Sequence, residues 1–310
     1  MVHLGFQNKF MVDQPLVSVI INCFNGEKYV RDALNSVLSQ TYKNWEIIFW
    51  DNQSNDKSAE IFKSYNDNRF KYFYAEKHSN ILYKARNYAI KKANGQFLAF
   101  LDVDDWWLPE KLEKQMPLFS NSKVGVVYGN CWMFFEKKNK NKIYRKKNLP
   151  KGMVLKNLLD DYLIGSPTYV IRKKHLENLK YWFNDNFHII GDFDLNVRLA
   201  SKYEFDCIQS PVAYIRIHEK NESLLNRNKE ISELKTWYNE MQGNSNISSQ
   251  KEFSKIPLIA SYLETMQLIL DNKLKESISM VIKHPFSLNK IKLIIALLLP
   301  NFILKKIKNY

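Results

Sequence analysis

The sequence predicts an α/β fold: a mostly parallel sheet flanked by helices, with a C-terminal helical extension. Two observations predict it. Short apolar runs alternate with segments of helical periodicity through the first half of the chain, and polar turns follow the apolar runs. Strands alternating with helices imply crossover connections, which run the strands parallel and cover both faces of the sheet. With 310 residues and 45% apolar content, the chain is long enough for one large or two modest domains.

The elements follow in order. Leu16 to Cys23 is a buried-strand run that stops at the turn dipeptide Asn25-Gly26. Val30, Ala33, Leu34, Val37 and Leu38 then recur at helical spacing, and Trp45 to Trp50 is strand-like again. In the polar turn Asp51 to Asp56, short side chains bond the local backbone or cap a helix over Lys57 to Tyr65. Phe70 to Tyr74 reads as strand, Tyr83 to Ala93 as helix, Phe97 to Leu101 as strand, Pro109 to Phe119 as helix and Val124 to Tyr128 as strand. Further on, Asp192 to Ala200 is helical and Pro211 to Ile217 strand-like, and the polar run 242–250 reads as a loop or boundary. Residues 1–225 are expected to form the α/β domain, with 226–310 as the helical extension.

Charge is concentrated in two places. The net charge is +14. Lys137 to Lys151 contributes +8 and Asn272 to Tyr310 contributes +7, which leaves the rest of the chain at −1. The first stretch reads as an exposed loop or hairpin. The second contains the apolar run Ile291 to Leu304, which Pro300 and Asn301 interrupt and which is too short to span a bilayer. An interfacial amphipathic segment over 285–310, or a core helix with a solvated tail, accounts for it equally. Neither stretch interleaves basic residues with stacking aromatics, so nucleic acid is not an expected partner. The N-terminal stretch lacks the layout of a secretion signal, and Cys23, Cys131 and Cys207 lack metal-ligand spacing, which makes the cytoplasm the expected compartment.

In a parallel sheet, ligands bind beyond the carboxyl ends of the strands. Phe24 and Asn25 follow the first apolar run, Asp51 the second, and Asp102 to Asp105 the fourth. On an extended backbone, Asp102 and Asp104 would place both carboxylates on one side, where a hard cation and a phosphate ligand relieve their repulsion. Capping of the next helix is an equal reading for Asp105.

These segments, Pro15 to Asn25, Gln40-Thr41-Tyr42, Asp51 to Asp56, Ala85-Arg86-Asn87 and Phe100 to Asp105, resemble family 2 of the inverting glycosyltransferases, which have the Rossmann-like GT-A fold. The resemblance continues through Gly191 to Leu195 and Tyr214 to His218. It implies a bacterial surface-glycan or glycoprotein-glycan enzyme that moves a sugar from a nucleotide sugar, UDP-linked, to a glycan or lipid-linked glycan at the inner face of the membrane. It implies a nucleotide site at Phe24, with Asn25 beside it, Asp51 and Arg86; Asp51 would accept from the uracil ring. The same resemblance implies that Asp102 contacts ribose or metal, that Asp104 binds a manganese or magnesium ion, that His218 is a further metal ligand and Arg216 an anion contact. Asp192 falls at the second position of the family's Glu-Asp motif and is the expected general base; Asp194 competes for that role and a helix cap is the alternative for Asp192. Gly191 stands where the acidic partner is usual, which leaves a non-catalytic, membrane-associated binding protein of the same fold as the rival reading.

Overall fold

The structure is a computed structural model that describes residues 14–301, 303 and 304. The N-terminal stretch and Lys305, Lys306 and Lys308 lie outside the described residues. The chain forms two compact units. One runs to Gly152 and takes in Ile164–Trp182 and Tyr203–Arg216; the other comprises Met153–Leu163, Phe183–Lys202 and the chain from Ile217 onward.

The first unit begins with β1 (Val17–Cys23), α1 (Val30–Leu38), β2 (Trp45–Asp51), α2 (Ser58–Lys63), β3 (Phe70–Tyr74), α3 (Leu82–Ile90) and β4 (Phe97–Phe100). These strands lie in the order β3-β2-β1-β4, all parallel, as the alternation predicts. Val17 to Ile20 are buried on both sides because helices cover both faces of the sheet. Cys23 pairs with Asp51 in register and Ile20 with Phe100, so Phe24, Asp51 and Asp102 all emerge at the carboxyl ends of neighbouring strands.

Beyond β4 the sheet changes character. The chain continues through β5 (Trp106–Trp107), α4 (Lys111–Gln115), β6 (Val124–Phe135) and β7 (Lys140–Ile143). It passes through α5 (Leu155–Asp160) of the second unit and returns to β8 (Val170–Arg172) and α6 (Lys173–Glu177). After α7 (Gly191–Ala200), also of the second unit, it comes back once more as β9 (Glu204–Ile217). The β4–β8, β8–β6, β6–β7 and β5–β9 pairings are antiparallel, so the nine-stranded sheet is mixed. Strands of two or three residues are too short to show periodicity, which is why β5 and β8 escape a reading of the sequence. The basic stretch after Phe135 is the hairpin that β7 makes with β6.

The second unit adds α8 (Glu222–Leu225), α9 (Arg227–Met241), α10 (Ser245–Ser248), α11 (Ile256–Leu270), α12 (Leu274–Lys283) and α13 (Leu288–Leu298). Trp237, fully buried, packs between Phe193 and Phe253. The polar run 242–250 is not simply a loop: it contains the one-turn helix α10, anchored by buried Ile247, and lies within this unit.

Two positions make the packing testable. A Cβ at Gly95 would lie 2.6 Å from the Ser18 main-chain nitrogen and 2.8 Å from the Leu16 main-chain oxygen, and backbone cannot yield as a flexible side chain can. Gly95→Ala is expected to cost about 1–3 kcal/mol in urea denaturation. His175 stacks on Tyr203 with ring centroids 3.9 Å apart. Burial, then the positive charges of Arg172 and Lys174, lowers its pKa from 6.5 to about 4. The unfolded chain binds a proton at higher pH than the folded one, so stability is fully present above about 6.5 and declines as pH falls towards 4. Replacing His175 with Phe is expected to flatten the fall in melting temperature across that window.

Candidate active site

Asp102 to Asp105 do not form the extended segment that Asp-x-Asp spacing suggested. The Asp105 N–H bonds back to the Asp102 carbonyl at 3.0 Å, closing a turn directly after β4. Three contacts hold it. Arg86, on α3 and 2% exposed, pairs through Nη2 with Asp102 Oδ1. The Asp104 carbonyl accepts from Arg216 Nε at 2.8 Å, and Asp105 Oδ1 accepts the Arg216 main-chain N–H, also at 2.8 Å. Asp105 therefore fastens the turn to β9 instead of capping a helix. Its burial, then the charges of Asp104 and Asp102, pushes its carboxyl well above the ordinary range. Among the described residues, no group of three or more His, Cys, Asp or Glu side chains is placed to hold a metal ion unaided.

The turn approaches the end of β1 closely. A Cβ on Gly26 would meet Val103 Cγ2 at 2.9 Å, so glycine lets the two turns come together. Asn25 adopts φ +53°, and its side-chain oxygen accepts from the Asn55 N–H at 2.9 Å. Ser54 Oγ accepts from the Asn25 N–H and Ser58 Oγ from the Gly26 N–H. The polar turn after β2 thus satisfies the backbone of the turn after β1, which explains its density of short polar side chains.

Asp51, fully buried at the end of β2, accepts from the Ser54 N–H at 2.7 Å and from the Tyr72 hydroxyl at 2.6 Å. Burial, then this hydrogen bond to the carboxylate, raises the Tyr72 phenol, so it stays a donor. Phe24 is 52% exposed and lies against His78, ring centroids 4.6 Å apart. His78 Nδ1 lies 2.8 Å from the Asn52 carbonyl, which fixes that ring against the turn after β2. The Arg216 guanidinium is committed: it pairs with Asp32 at 2.6 Å, lies 3.9 Å from Glu136, and packs against Tyr29 and Trp106.

In the second unit, Asp192 and Asp194 share the first turn of α7 and behave differently. Asp192 is half-buried, and its Oδ1 accepts the Phe193 N–H at 2.8 Å. Asp194 is fully buried, paired with Arg198 (Nη2 to Oδ2, 2.7 Å) and bonded by Trp237 Nε1 at 3.0 Å. Glu233, from α9, accepts the main-chain N–H groups of His188, Ile189 and Ile190 at 2.8, 2.9 and 3.1 Å. It therefore holds the entry to α7, the helix that carries Asp192. His218 follows β9; its N–H donates to Asn221 Oδ1 and its Nδ1 accepts from the Lys220 N–H at 3.2 Å.

Residues 18–196 match the model of glycosyl transferase family 2. The chain belongs to that family. It is 34% identical over 172 residues to the Escherichia coli protein WfgD, named UDP-Glc:alpha-D-GlcNAc-diphosphoundecaprenol beta-1,3-glucosyltransferase; the match covers 56% of this chain and 66% of WfgD. It is 30% identical over 220 residues to an uncharacterized glycosyltransferase of Methanocaldococcus jannaschii, MJ1057, covering 69% of this chain and 74% of that one. S. aureus TarS 1–349, solved in complex with UDP-GlcNAc, superposes with a TM-score of 0.61 at 18% identity, over 85% of this chain and 88% of that one. Pyrobaculum calidifontis mannosyltransferase PcManGT, solved with GDP-Man and Mn2+, superposes with a TM-score of 0.62 at 14% identity, over 91% of this chain and 79% of that one. The GT-A fold expected from the sequence is the fold these structures share, and the chain is a glycosyltransferase of family 2.

Within this glycosyltransferase, Asp105 and Glu233 do positional work that the sequence reading did not assign. Their partners lie 111 and 43 to 45 residues away, and no local pattern signals either contact. The two acids of α7 separate cleanly in an experiment. Asp194→Asn leaves Arg198 buried without its counter-charge and is expected to cost about 3–5 kcal/mol. Asp192→Asn, at a half-exposed position, is expected to cost less than about 1 kcal/mol; urea denaturation of both variants measures the difference.

Proposed function

We propose that this glycosyltransferase moves a sugar from a UDP-sugar, with inversion, to a hydroxyl of a glycan or lipid-linked glycan at the inner face of a bacterial membrane. The observation that carries the reading is the acidic turn after β4, anchored by Arg86 and Arg216, in the same unit as an exposed Phe24 and a carboxylate at Asp51. The donor and acceptor classes are supported by WfgD, whose name specifies UDP-Glc and a diphosphoundecaprenol acceptor, and by the UDP-GlcNAc complex of TarS.

In the first unit, Asp51 uses two of its roughly four acceptor directions on Ser54 and Tyr72, leaving capacity for the imide N–H of uracil. Phe24 offers an aromatic face to the base, and Asn25 shapes the turn beneath it. Arg86 holds Asp102 for the ribose or the metal and is near enough to that turn to serve the diphosphate. Asp102 and Asp104 are hard oxygen donors, too few to retain a cation alone, which suits magnesium or manganese that arrives with diphosphate oxygens as additional ligands. When bound there, the ion would neutralise charge gathering on the departing nucleoside diphosphate. Arg216, already paired with acids, supports the turn from behind through the Asp104 carbonyl and the Asp105 carboxylate.

In the second unit, Asp192 is the general base and Asp194 the anchor that fixes α7 to α9. The acceptor hydroxyl forms a bond to the anomeric carbon as the bond to diphosphate breaks on the opposite face, and its proton passes to Asp192. Glu233 keeps the helix start in place, so a carboxylate brought from α9 stands close to where Gly191 lacks one. His218 would be a further metal ligand, as the resemblance of Tyr214 to His218 implies.

A screen of nucleotide sugars for manganese-dependent release of nucleoside diphosphate, with and without a lipid-linked acceptor, tests the reading. UDP-sugars should give release. Asp104→Asn should abolish turnover, and Asp192→Asn should retain donor binding while transfer falls by at least about 100-fold. Undiminished metal-dependent transfer by Asp104→Asn would refute the assignment. Donor binding without hydrolysis or transfer would make the chain a binding protein of the same fold.

A further inference from the structure

The helices at the end of the second unit are apolar on two sides. On α13 the inner side is filled: Leu293 and Ala296 are buried with Ile269, Leu270 and Val281. The outer side is not. Leu288, Ile291, Ile295 and Leu298 recur every three or four residues, a single stripe on a helix, and are exposed, with Leu288 at 77% and Leu298 at 80%. On α12, Leu274, Ile278 and Ile282 recur every four residues, also exposed, and Phe286 in the connection to α13 is 87% exposed. A water-facing helix surface ordinarily carries polar residues there, and contiguous apolar surface of this kind marks an interaction site.

Charge identifies the partner. Lys273, Lys275, Lys283 and Lys292 are exposed, and among the described residues none of the four forms an ion pair. At 100° per residue, Lys292 and Lys290 fall at the two borders of the outer stripe of α13, and Lys275 falls beside the stripe of α12, with Lys283 further round at the end of that helix. Lys290 also donates to the Ile282 carbonyl at 2.9 Å, tying the start of α13 to the end of α12. Glu276 is the sole acid from 272 to 310, and three more lysines follow in the sequence at 305, 306 and 308. A second copy would bring these like charges together, whereas anionic headgroups would neutralise them. At ten and eleven residues the helices are about 15 Å long, half the hydrocarbon thickness, so they fit the interface and not a span.

We propose that the outward faces of α12 and α13 together form a docking surface for an anionic lipid bilayer, with the apolar stripes entering the headgroup–acyl boundary and the bordering lysines meeting lipid phosphates. The sequence placed an interfacial segment within 285–310 or a core helix there; α13 is both, one side in the core and the other at the membrane, and α12 joins it. The proposal rests on the second unit alone and is independent of the transfer chemistry.

Sedimentation of the full chain with phosphatidylcholine vesicles, with and without phosphatidylglycerol, tests it. The protein should sediment with the anionic vesicles and be partly released by high salt. Ile282→Glu with Leu298→Glu, both at exposed positions, should lower partitioning at least about tenfold, with an unchanged circular dichroism spectrum and melting temperature. Equal partitioning of that folded variant, or no binding of the unaltered chain to anionic vesicles, overturns the proposal. A dimer of the unaltered chain that the same variant dissociates would assign the face to a second copy and overturn it as well.

Discussion

Three carboxylates within one turn, Asp102, Asp104 and Asp105, are the constraint around which the first unit is arranged. Like charges this close resist folding unless each is given something to bind. Arg86 takes Asp102 from α3, and the main chain of Arg216 takes Asp105 from β9. Arg216 cannot be buried without counter-charges of its own. Asp32 on α1 and Glu136 at the tip of the β6 hairpin supply them, and Glu136 is held in turn by Lys28 and the Tyr29 hydroxyl. The acidic turn is therefore fixed from both the parallel and the antiparallel half of the sheet. What the turn keeps exposed is correspondingly specific: Asp102 is about a third accessible, while Asp105 is sealed.

This arrangement explains which parts of the molecule could be read from the sequence. The parallel half was legible because its strands are largely apolar or aromatic runs and β1, β2 and β3 are each followed by a helix. The strand ends then located Phe24, Asp51 and Asp102 without any knowledge of side-chain geometry. The antiparallel half was only partly legible. β5 and β8 are too short to leave a pattern, and β6 continues through partly exposed residues well past Tyr128. The contacts that fix the acidic turn lie deeper still, since Asp105 finds its partner 111 residues away and Arg216 finds Asp32 at a separation of 184. Such pairings are properties of topology, and a local reading assigns the same residues to capping or to solvent.

The C-terminal helices show a different limit. Composition reveals how much apolar surface a helix carries and not how much of it the fold covers. The run from Ile291 to Leu298 is apolar enough to read as core or interface, and only the placement of α11 decides that one side is taken and the other is left open.

The pair Asp102/Asp104 and the pair Asp192/Asp194 have identical spacing and opposite outcomes, and the reason is the backbone beneath them. In the hydrogen-bonded turn after β4, both acids of the first pair stay partly accessible. In α7, two residues correspond to a rotation of about 200°, so two acids so spaced must face opposite sides of the helix. Trp237 and Arg198 meet Asp194 in the core of the second unit; Asp192, at the second residue of the helix, is half-exposed, although Leu195, Asn196 and Leu199 further along its own side are buried. A helix thus parts an ambiguous Asp-x-Asp into one sealed, paired acid and one partly accessible acid. The same reasoning gives Glu233 its place, because a side chain on the first turn of a helix is only as well placed as that turn. The main-chain N–H groups of His188, Ile189 and Ile190 lead into α7, and one buried carboxylate, Glu233, accepts from all three. Fixing Asp192 therefore requires no contact with Asp192 itself.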